Sequence, residues 1–211
     1  MVNFDAMKKT PRRIIETALK LFNSKGLSQV TLRTIAHEMG ISQGNLNYHF
    51  KKREDIIESL YFSLVAEIEE SLLGMNDNQV SLHSLFQFSQ GLTQLFYKYR
   101  FILMDFSQVM RENKIREHFI VLMDKRANQF DEIFKSLIHS GIIRTEEFEN
   151  EYVNLYQRIQ ILGDFWMSSA VIKHGVISND VANEYGRLIA EFIYPYLTDK
   201  GKQEWYALSL N

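Results

Sequence analysis

Apolar side chains recur at intervals of three and four residues along most of the chain, the spacing that places them on one face of an α-helix. In the N-terminal quarter this pattern predicts helices over residues 10–25, 31–39 and 42–50. The third helix is short, and its two apolar residues, Leu46 and Phe50, lie one turn apart and point inward together. Short helices in this order, with a glycine-containing turn before the last, are typical of a helix-turn-helix.

A fourth apolar stripe starts at Arg53 and continues, without a flexible linker, to about Leu73. The chain breaks at 74–78, and a short tail of uncertain order begins at Gly201. Between the break and the tail, the pattern predicts helices over residues 81–99, 101–113, 114–140, 145–174 and 178–197.

These elements predict an all-α fold. An N-terminal three-helix helix-turn-helix domain is joined by the fourth helix to a helical C-terminal domain. We place the division between residues 1–55 and 56–211.

The outward side of the third predicted helix has unusual chemistry for a solvated surface. It carries amides, an aromatic ring and a glycine where Lys and Glu would serve solubility better: Gln43, Gly44, Asn45, Asn47 and Tyr48. Asn and Gln match the hydrogen-bonding edge of adenine, and a Tyr hydroxyl can donate to a phosphate. The pattern indicates contact with a nucleic acid.

The charge distribution supports the same interpretation. The net charge of −2 divides into +7 for residues 1–53 and −9 for the remainder. A basic end on an acidic body is typical of a protein that binds a polyanion at that end. The alternative is a basic solvated face with no partner.

The sequence lacks the residue sets of common enzymes and cofactor sites. It has no cysteine, its six histidines are scattered, and it contains neither a Gly-rich phosphate loop nor a nucleophile elbow. We therefore predict a protein that is not an enzyme and that needs no metal or other cofactor. The absence of cysteine fits a reducing compartment. Without a visible signal peptide or a long apolar run, we expect a cytoplasmic protein with no membrane partner.

The N-terminal residues also resemble a known family. The resemblance covers roughly residues 10–57 and lies in the pattern Gly26-x4-Thr31-x3-Ile35-Ala36-x3-Gly40-Ile41-Ser42-x-Gly44-x-Leu46-x-Tyr48-His49-Phe50. This pattern is similar to the N-terminal module of TetR-family transcriptional regulators. The length and helix content of the remaining chain are similar to the ligand-binding and dimerisation domain of that family.

The resemblance implies DNA contacts from a defined set of residues. The candidates are Thr31, Arg33, Gln43, Gly44, Asn45, Asn47, Tyr48, His49, Lys51 and Arg53.

Within this set, Thr31, Tyr48 and His49 resemble phosphate or sugar contacts, and Arg33 stands where family members read a base. Arg53 replaces the usual Lys that donates to a phosphate. The family usually has Tyr at the position of Asn47, so one phosphate contact is lost or becomes an amide contact. The alternatives are a solvated charge for Arg33 and a packing role for His49.

The helices between residues 81 and 172 are rich in aromatic and Met side chains, which predicts an apolar cavity closed by a few polar groups. Gln160 and Asp164 lie one turn apart in a mostly apolar run, where a carboxylate must be paired, exposed or pocket-lining. The ligand-binding candidates are Phe96, Met110, Met123, Tyr156, Gln160 and Asp164. The alternatives are plain core for the aromatic residues and a structural hydrogen bond for Asp164.

The last two predicted helices are apolar over an arc too wide for one partner surface to cover. The family resemblance implies that they form half of an intersubunit four-helix bundle. The interface candidates are Tyr185, Leu188, Ile189, Phe192 and Tyr196. The alternative is a last helix that seals its own subunit.

Together these patterns predict a sequence-specific, DNA-binding transcriptional regulator. The expected protein is a homodimeric repressor that binds a palindromic operator in double-stranded DNA and is released by a small, mainly apolar effector of unknown identity. The alternative keeps the DNA binding but makes the C-terminal domain a protein-interaction platform with no small ligand.

Overall fold

Helices are the regular elements of residues 9–76 and 80–208, the part of the chain that the computed structural model describes, the side chains of 74–76 excepted. The N-terminal helices are α1 (Lys9–Lys25), α2 (Leu32–Glu38), α3 (Gln43–His49) and α4 (Arg53–Asn76), with a 3₁₀ turn at Leu27–Gln29. They are followed by α5 (Leu82–Lys98), α6 (Arg100–Met104), α7 (Phe106–Val109), α8 (Asn113–His139), α9 (Glu151–His174), α10 (Asn179–Glu191), a 3₁₀ turn at Tyr194–Tyr196, and α11 (Asp199–Leu208). The predicted all-α class is confirmed.

The described chain forms two compact units. The first contains residues 9–69 and 98–118, and the second contains residues 70–97 and 119–208. Helices α4 and α8 each contribute residues to both units. These boundaries concern packing, and the functional division after residue 55 stays a prediction.

The core of the first unit is built from the apolar faces predicted for its helices. Ile14 and Ala18 of α1, Ile35 of α2, Leu46 of α3 and Ile56 of α4 are fully buried. Each follows the helical spacing of its own segment, so the apolar pattern alone assigns these residues to the core.

In the second unit, helices α5 and α9 each pack closely against α10. A Cβ added to Gly186 of α10 would lie 2.7 Å from the Thr93 hydroxyl of α5, so the absent side chain is what lets these helices approach. On another side, the ring of Tyr185 lies 4.9 Å from that of Trp166 on α9. Helix α10 is therefore packed between α5 and α9.

The start of α9 differs from the prediction of a helix beginning at residue 145. The helix begins at Glu151, and Asn150 before it has a left-handed backbone with φ of 63°. The loop is held instead by Glu151, whose buried carboxylate accepts two hydrogen bonds from the Arg144 guanidinium at 2.8 and 2.7 Å and one from the Glu147 N–H at 2.8 Å. With the Glu151 side chain committed to these contacts, the helix begins six residues later than the acidic run suggests.

Two further segments correct the predicted elements. The helix predicted over 101–113 is divided into α6 and α7 at Asp105. The final predicted helix ends at Glu191 rather than near residue 197. Residues 201–208 of the predicted tail belong to helix α11, and residues 209–211 lie outside the described part of the chain. Pro195 lies in the intervening 3₁₀ turn, where its missing N–H prevents the previous helix from continuing.

The predicted break at 74–78 falls partly outside the described residues. Helix α4 continues through residue 76, and residues 77–79 are not described.

The acid stability of the second unit provides a test of the Glu151 contacts. Hydrogen bonds from Arg144 and from the Glu147 N–H lower the pKa of Glu151 from 4.5 to about 2. The unfolded chain therefore binds a proton more readily than the folded one, so this stabilisation is present above pH 4.5 and is lost as the pH falls towards 2.

We expect Glu151→Gln to lower the thermal midpoint at pH 7, with the difference from wild type shrinking between pH 4.5 and 2. Glu147→Gln is the matched control, because Glu147 also pairs with Arg144 but is mostly exposed, and exposed ion pairs contribute little. Equal effects of the two variants across this pH range would contradict the role given to Glu151.

Candidate nucleic-acid interface and effector cavity

Helix α2 and the turn after it are fixed by local hydrogen bonds. Thr31 and Thr34 form a reciprocal capping box, in which each backbone N–H donates to the hydroxyl of the other residue, at 2.9 and 3.2 Å. At the other end, Gly40 takes a φ of 66°, and the Ile41 N–H donates to the Ala36 carbonyl at 3.0 Å. This is a Schellman-type ending, which reverses the chain sharply between α2 and α3.

Helix α3 is anchored on one side and exposed on the other. Ser42 caps it by accepting the Asn45 N–H at 3.2 Å, and Leu46 is fully buried. Four of the five residues predicted to face outward are exposed: Gln43, Gly44, Asn45 and Tyr48. The Tyr48 side chain is 79% exposed, which is unusual for an aromatic ring without a partner surface.

Further predicted contacts lie on the same unit. Thr31, Arg33 and Lys51 are exposed. The Thr31 hydroxyl oxygen accepts the Thr34 N–H, which leaves its own proton available for a phosphate oxygen. The geometry therefore leaves these three groups able to meet a polyanion.

Two residues near the end of α3 are less accessible. His49 is half-buried, and its ring meets the Tyr48 ring edge-on at 5.1 Å. Asn47, predicted on the outward side, is half-buried, and its Oδ1 is buried without a hydrogen-bond partner in the described part of the chain. The outward placement of Asn47 is corrected for this atom, because the residue lies at the edge between the two faces of the helix.

Arg53 requires a larger correction. Its Nη1 donates to the main-chain carbonyls of Leu27 at 3.0 Å and Val30 at 3.4 Å, and its guanidinium pairs with Glu54 at 3.2 Å. A phosphate would have to compete with these partners. The structure assigns Arg53 to holding the turn before α2 rather than to a free phosphate contact.

The second unit contains an apolar cavity of about 70 Å³. It is lined by residues of α5, α8, α9 and α10 and by Ile193 just after α10. The helical lining residues are Leu85, Phe88, Ser89, Leu92, Phe130, Phe134, Ile159, Ile189 and Ala190. Its one hydroxyl, on Ser89, already donates to the Gly186 carbonyl at 2.6 Å. The cavity therefore offers an occupant mainly apolar contact.

None of the six predicted ligand residues lines this cavity. Met110 belongs to the first unit, Met123 is exposed and Phe96 is half-buried elsewhere on α5. Tyr156 is the nearest of the set, because its ring lies 4.9 Å from the ring of the cavity residue Phe130. The aromatic content of Phe88, Phe130 and Phe134 was a usable signal, but it did not separate these residues from ordinary core.

Asp164 and Gln160 are both half-buried and lie on the same side of α9 as Tyr156. Burial raises the pKa of Asp164 from 3.8 to about 6. Burial and the nearby negative charge of Asp164 raise the pKa of Tyr156 to about 12, against the opposing charge of Arg126. The two side chains are therefore close enough to interact.

The predicted dimer residues are mostly used within one protomer. Tyr185 and Ile189 are buried, the first against Trp166 and the second in the cavity wall, so their predicted contact with a partner is corrected. Tyr196 lies under the Arg144 guanidinium at 5.2 Å, and Phe192 is half-buried. Leu188 is the exposed member of the set, at 43%.

A second apolar face lies on α9. Ile161, Phe165 and Ile172 are 62%, 52% and 86% exposed and share one side of the helix. Val176, just after the helix, is also exposed. The wide apolar arc predicted for the last helices is thus divided between an inner face and an outer one.

Within residues 9–76 and 80–208, no three His, Cys, Asp or Glu side chains gather as metal ligands. Over the same residues, no helix has both the length and the apolar character of a bilayer span.

The geometry agrees with two family comparisons. The sequence model for the N-terminal region of bacterial regulatory proteins of the tetR family matches residues 14–60. The TetR model, described as a bacterial transcriptional repressor, matches residues 64–205, more than half of the chain.

The chain belongs to the TetR family.

Individual proteins are similar to this chain in part of their sequence or in their fold. The HTH-type regulator YerO of Bacillus subtilis is 35% identical over 81 residues, which make up 35% of this chain but only 28% of YerO. A TetR-family regulator from Marinobacter aquaeolei VT8 has the same fold, with a TM-score of 0.86 at 23% identity over 95% of this chain and 97% of its own. The ketosteroid regulator KstR2 of Mycobacterium tuberculosis gives a TM-score of 0.70 at 15% identity, over 92% and 97% of the two chains.

This TetR-family protein is a DNA-binding transcriptional regulator, with its helix-turn-helix formed by α2 and α3. Two substitutions separate base contacts from phosphate contacts in it. Arg33→Ala is expected to relax preference at one base pair, at a cost of about 1–3 kcal/mol there, because an Arg fork matches the guanine edge. Lys51→Ala is expected to weaken binding to all DNA sequences alike and to reduce the steepness of log K against log[salt] by about 0.9.

Both variants are to be compared by selection from a randomised operator library at several salt concentrations. Lys135→Ala is the control, because Lys135 is an exposed lysine of α8 paired with Asp131 and Glu132. Identical behaviour of the Arg33 and Lys51 variants would remove the assignment of Arg33 to base contact.

Proposed function

We propose that this TetR-family regulator is a homodimeric repressor that binds a palindromic operator and is released by a small, mainly apolar effector. The apolar cavity between α5, α8, α9 and α10 carries the effector part of the proposal. The exposed face of α3 supports the operator part, and the exposed apolar face of α9 supports the dimer.

The operator contact follows from the exposed groups of the helix-turn-helix. Gln43, Gly44 and Asn45 at the start of α3 face the bases, while Thr31 and Tyr48 meet the phosphates. A Cβ on Gly44 would approach nothing closer than 4.0 Å within the protein. Its absence therefore leaves space for a DNA group rather than for another part of this chain.

A dimer accounts for apolar surface that the protomer leaves exposed. Ile161, Phe165 and Ile172 of α9 and Leu188 of α10 would be buried against the same residues of a second copy in a two-fold interface. Two recognition helices held about 34–36 Å apart can then contact successive major-groove half-sites, which matches a palindrome.

Ile172→Glu tests this interface, because Ile172 is 86% exposed and its replacement leaves the protomer core intact. We expect a monomer in sedimentation velocity, and a loss of operator affinity of roughly 10²-fold as the two half-sites are bound independently. Val121→Glu is the control, since Val121 is an exposed apolar residue of α8 outside the proposed face. A dimeric Ile172→Glu protein would place the interface elsewhere.

The size of the cavity gives a physical route to release. A cavity of about 70 Å³ is smaller than the roughly 300–1,000 Å³ of drug-sized ligand sites. A larger effector must therefore separate the lining helices, so it binds a rearranged conformation more tightly than the one described. Such differential affinity is what allows a ligand to shift an equilibrium, and a coupling of about 1–3 kcal/mol changes operator affinity roughly 5–150-fold.

Asp164 supports a preference for a ligand with one cationic group. Burial raises the pKa of its carboxyl group, the charge of that carboxylate raises the pKa of Tyr156, and the Tyr156 ring lies 4.9 Å from the ring of the cavity residue Phe130. Aromatic faces beside a carboxylate favour an alkylammonium group. Operator DNA must weaken the binding of such a ligand by the same factor by which the ligand weakens DNA binding.

Asp164→Asn tests both the burial of the carboxylate and its role. The raised pKa means that the folded chain holds this proton more tightly than the unfolded one, so wild-type stability falls as the pH rises from about 4 to 6. We expect the variant to be more stable than wild type by about 3 kcal/mol at pH 7, with no difference below about pH 4. Urea unfolding of both proteins at a series of pH values measures this difference in the free energy of unfolding.

The same variant is expected to bind hexyltrimethylammonium roughly tenfold more weakly while its affinity for neutral hexanol is unchanged, and to bind operator normally without ligand. Asp131→Asn, an exposed acid of α8, is the control for charge. Equal losses for both probes would remove Asp164 from the site. If neither probe binds the wild-type protein, the result favours the protein-interaction platform instead.

A further inference from the structure

The turn between α1 and α2 is held from two sides. The Leu27 N–H donates to the Asp105 carboxylate at 3.0 Å, and the Leu27 carbonyl accepts from Arg53 Nη1 at 3.0 Å. Asp105 lies at the junction of α6 and α7, and Arg53 is the first residue of α4. Both main-chain groups of one residue are thus fixed by side chains from distant parts of the chain.

The approach of Asp105 depends on the backbone of the preceding residue. Gly26 has a φ of 78°, a conformation that favours glycine. A Cβ at this position would lie 3.8 Å from Asp105 Oδ2, so the carboxylate reaches the turn directly over the glycine. The glycine therefore leaves room for the Asp105 carboxylate to reach the Leu27 N–H.

A second side chain ties α1 to the same segment. Asn23 donates from Nδ2 to the Lys98 carbonyl at 2.8 Å and accepts the Phe101 N–H on Oδ1 at 3.1 Å. The segment from Lys98 to Asp105 therefore contacts the end of α1 and the turn after it through three hydrogen bonds, all within the first unit. A carboxylate and a carboxamide bonded to main-chain groups fix distance and direction together.

The turn between α1 and α2 leads directly into the helix-turn-helix formed by α2 and α3. Val30, fully buried and bonded through its carbonyl to Arg53, precedes Thr31, the cap of α2. Any displacement of Leu27 is passed within four residues to Thr31 and, two residues later, to Arg33. The position of these groups on DNA depends on where the turn is held.

We propose that Asp105 is a positioning residue for DNA recognition, which acts with Arg53 on Leu27 to set the start of α2. Asp105 contacts no DNA in this proposal. It holds the turn in the one arrangement that lets Thr31 and Arg33 meet the operator together. The proposal rests on the DNA-binding function and needs no effector.

The test uses Asp105→Ala and the milder Asp105→Asn in the full chain, with folding checked by thermal unfolding. We expect Asp105→Ala to lower operator affinity roughly tenfold and, in a randomised library, to relax base preference only at the base pair assigned to Arg33, because Thr31 and Arg33 are misplaced while α3 keeps its contacts. Amide exchange at Leu27 is expected to become faster in the same variant, since its N–H loses its acceptor.

A double-mutant cycle with Arg53→Ala separates positioning from independent contacts. If both side chains act through Leu27, the double variant loses less affinity than the product of the two single losses. Ser63→Ala is the matched control, because it removes a buried side-chain-to-backbone bond within α4, from Ser63 to the Ser59 carbonyl at 2.7 Å, without touching the turn. It is expected to lower stability and leave operator affinity unchanged.

Three results would overturn the proposal. They are wild-type affinity in folded Asp105→Ala protein, multiplicative losses in the cycle, or an equal loss of affinity in Ser63→Ala. Each of these leaves the DNA-binding function in place. Failure of the wild-type protein to select any sequence from the library would instead remove that function and this proposal with it.

Discussion

The exposed face of α3, which we assign to DNA contact, depends on the burial of two residues, Leu46 and Phe50. Helix α3 has seven residues, too few for a helix to be stable alone in water, so its stability comes from packing. Leu46 is fully buried, and Phe50 just after the helix is buried beside the same core. Because these two positions hold the helix, its opposite face is free of structural duties. That face can carry the amides, the glycine and the exposed Tyr48, which would be poor choices for stability or solubility.

Helix α9 shows how one element can serve several surfaces at once. Trp166 packs against α10, Ile159 lines the cavity, and Ile172 is exposed on the outside. These roles lie on different sides of a helix of 24 residues, which is why its sequence is apolar nearly all round. A change in the cavity would move the helix whose outer face we assign to the dimer. The same helix therefore belongs to both the proposed effector site and the proposed dimer interface.

The corrections to the predicted sites have a common cause. Arg53 was assigned to a phosphate, and the structure gives it to main-chain carbonyls of the turn before α2. Asp105 attracted no prediction, although it holds the other side of that turn. Main-chain partners are the same for every residue type, so a side chain that bonds to them leaves no matching signal elsewhere in the sequence. Asn47, with a buried and unpaired Oδ1, likewise depends on neighbours that its spacing cannot identify.

The sequence by itself determined the all-α class and the helix-turn-helix, because the spacing of apolar residues along a helix depends on residues within one or two turns of each other. It could not determine which apolar residues of the last helices face inward, since Tyr185 and Leu188 are equally apolar in pattern. Only the tertiary structure buried the first and exposed the second, formed the cavity, and placed Asp105 on Leu27. Burial and long-range hydrogen bonds depend on which surface a helix meets, and that choice is made by the packing of the whole unit.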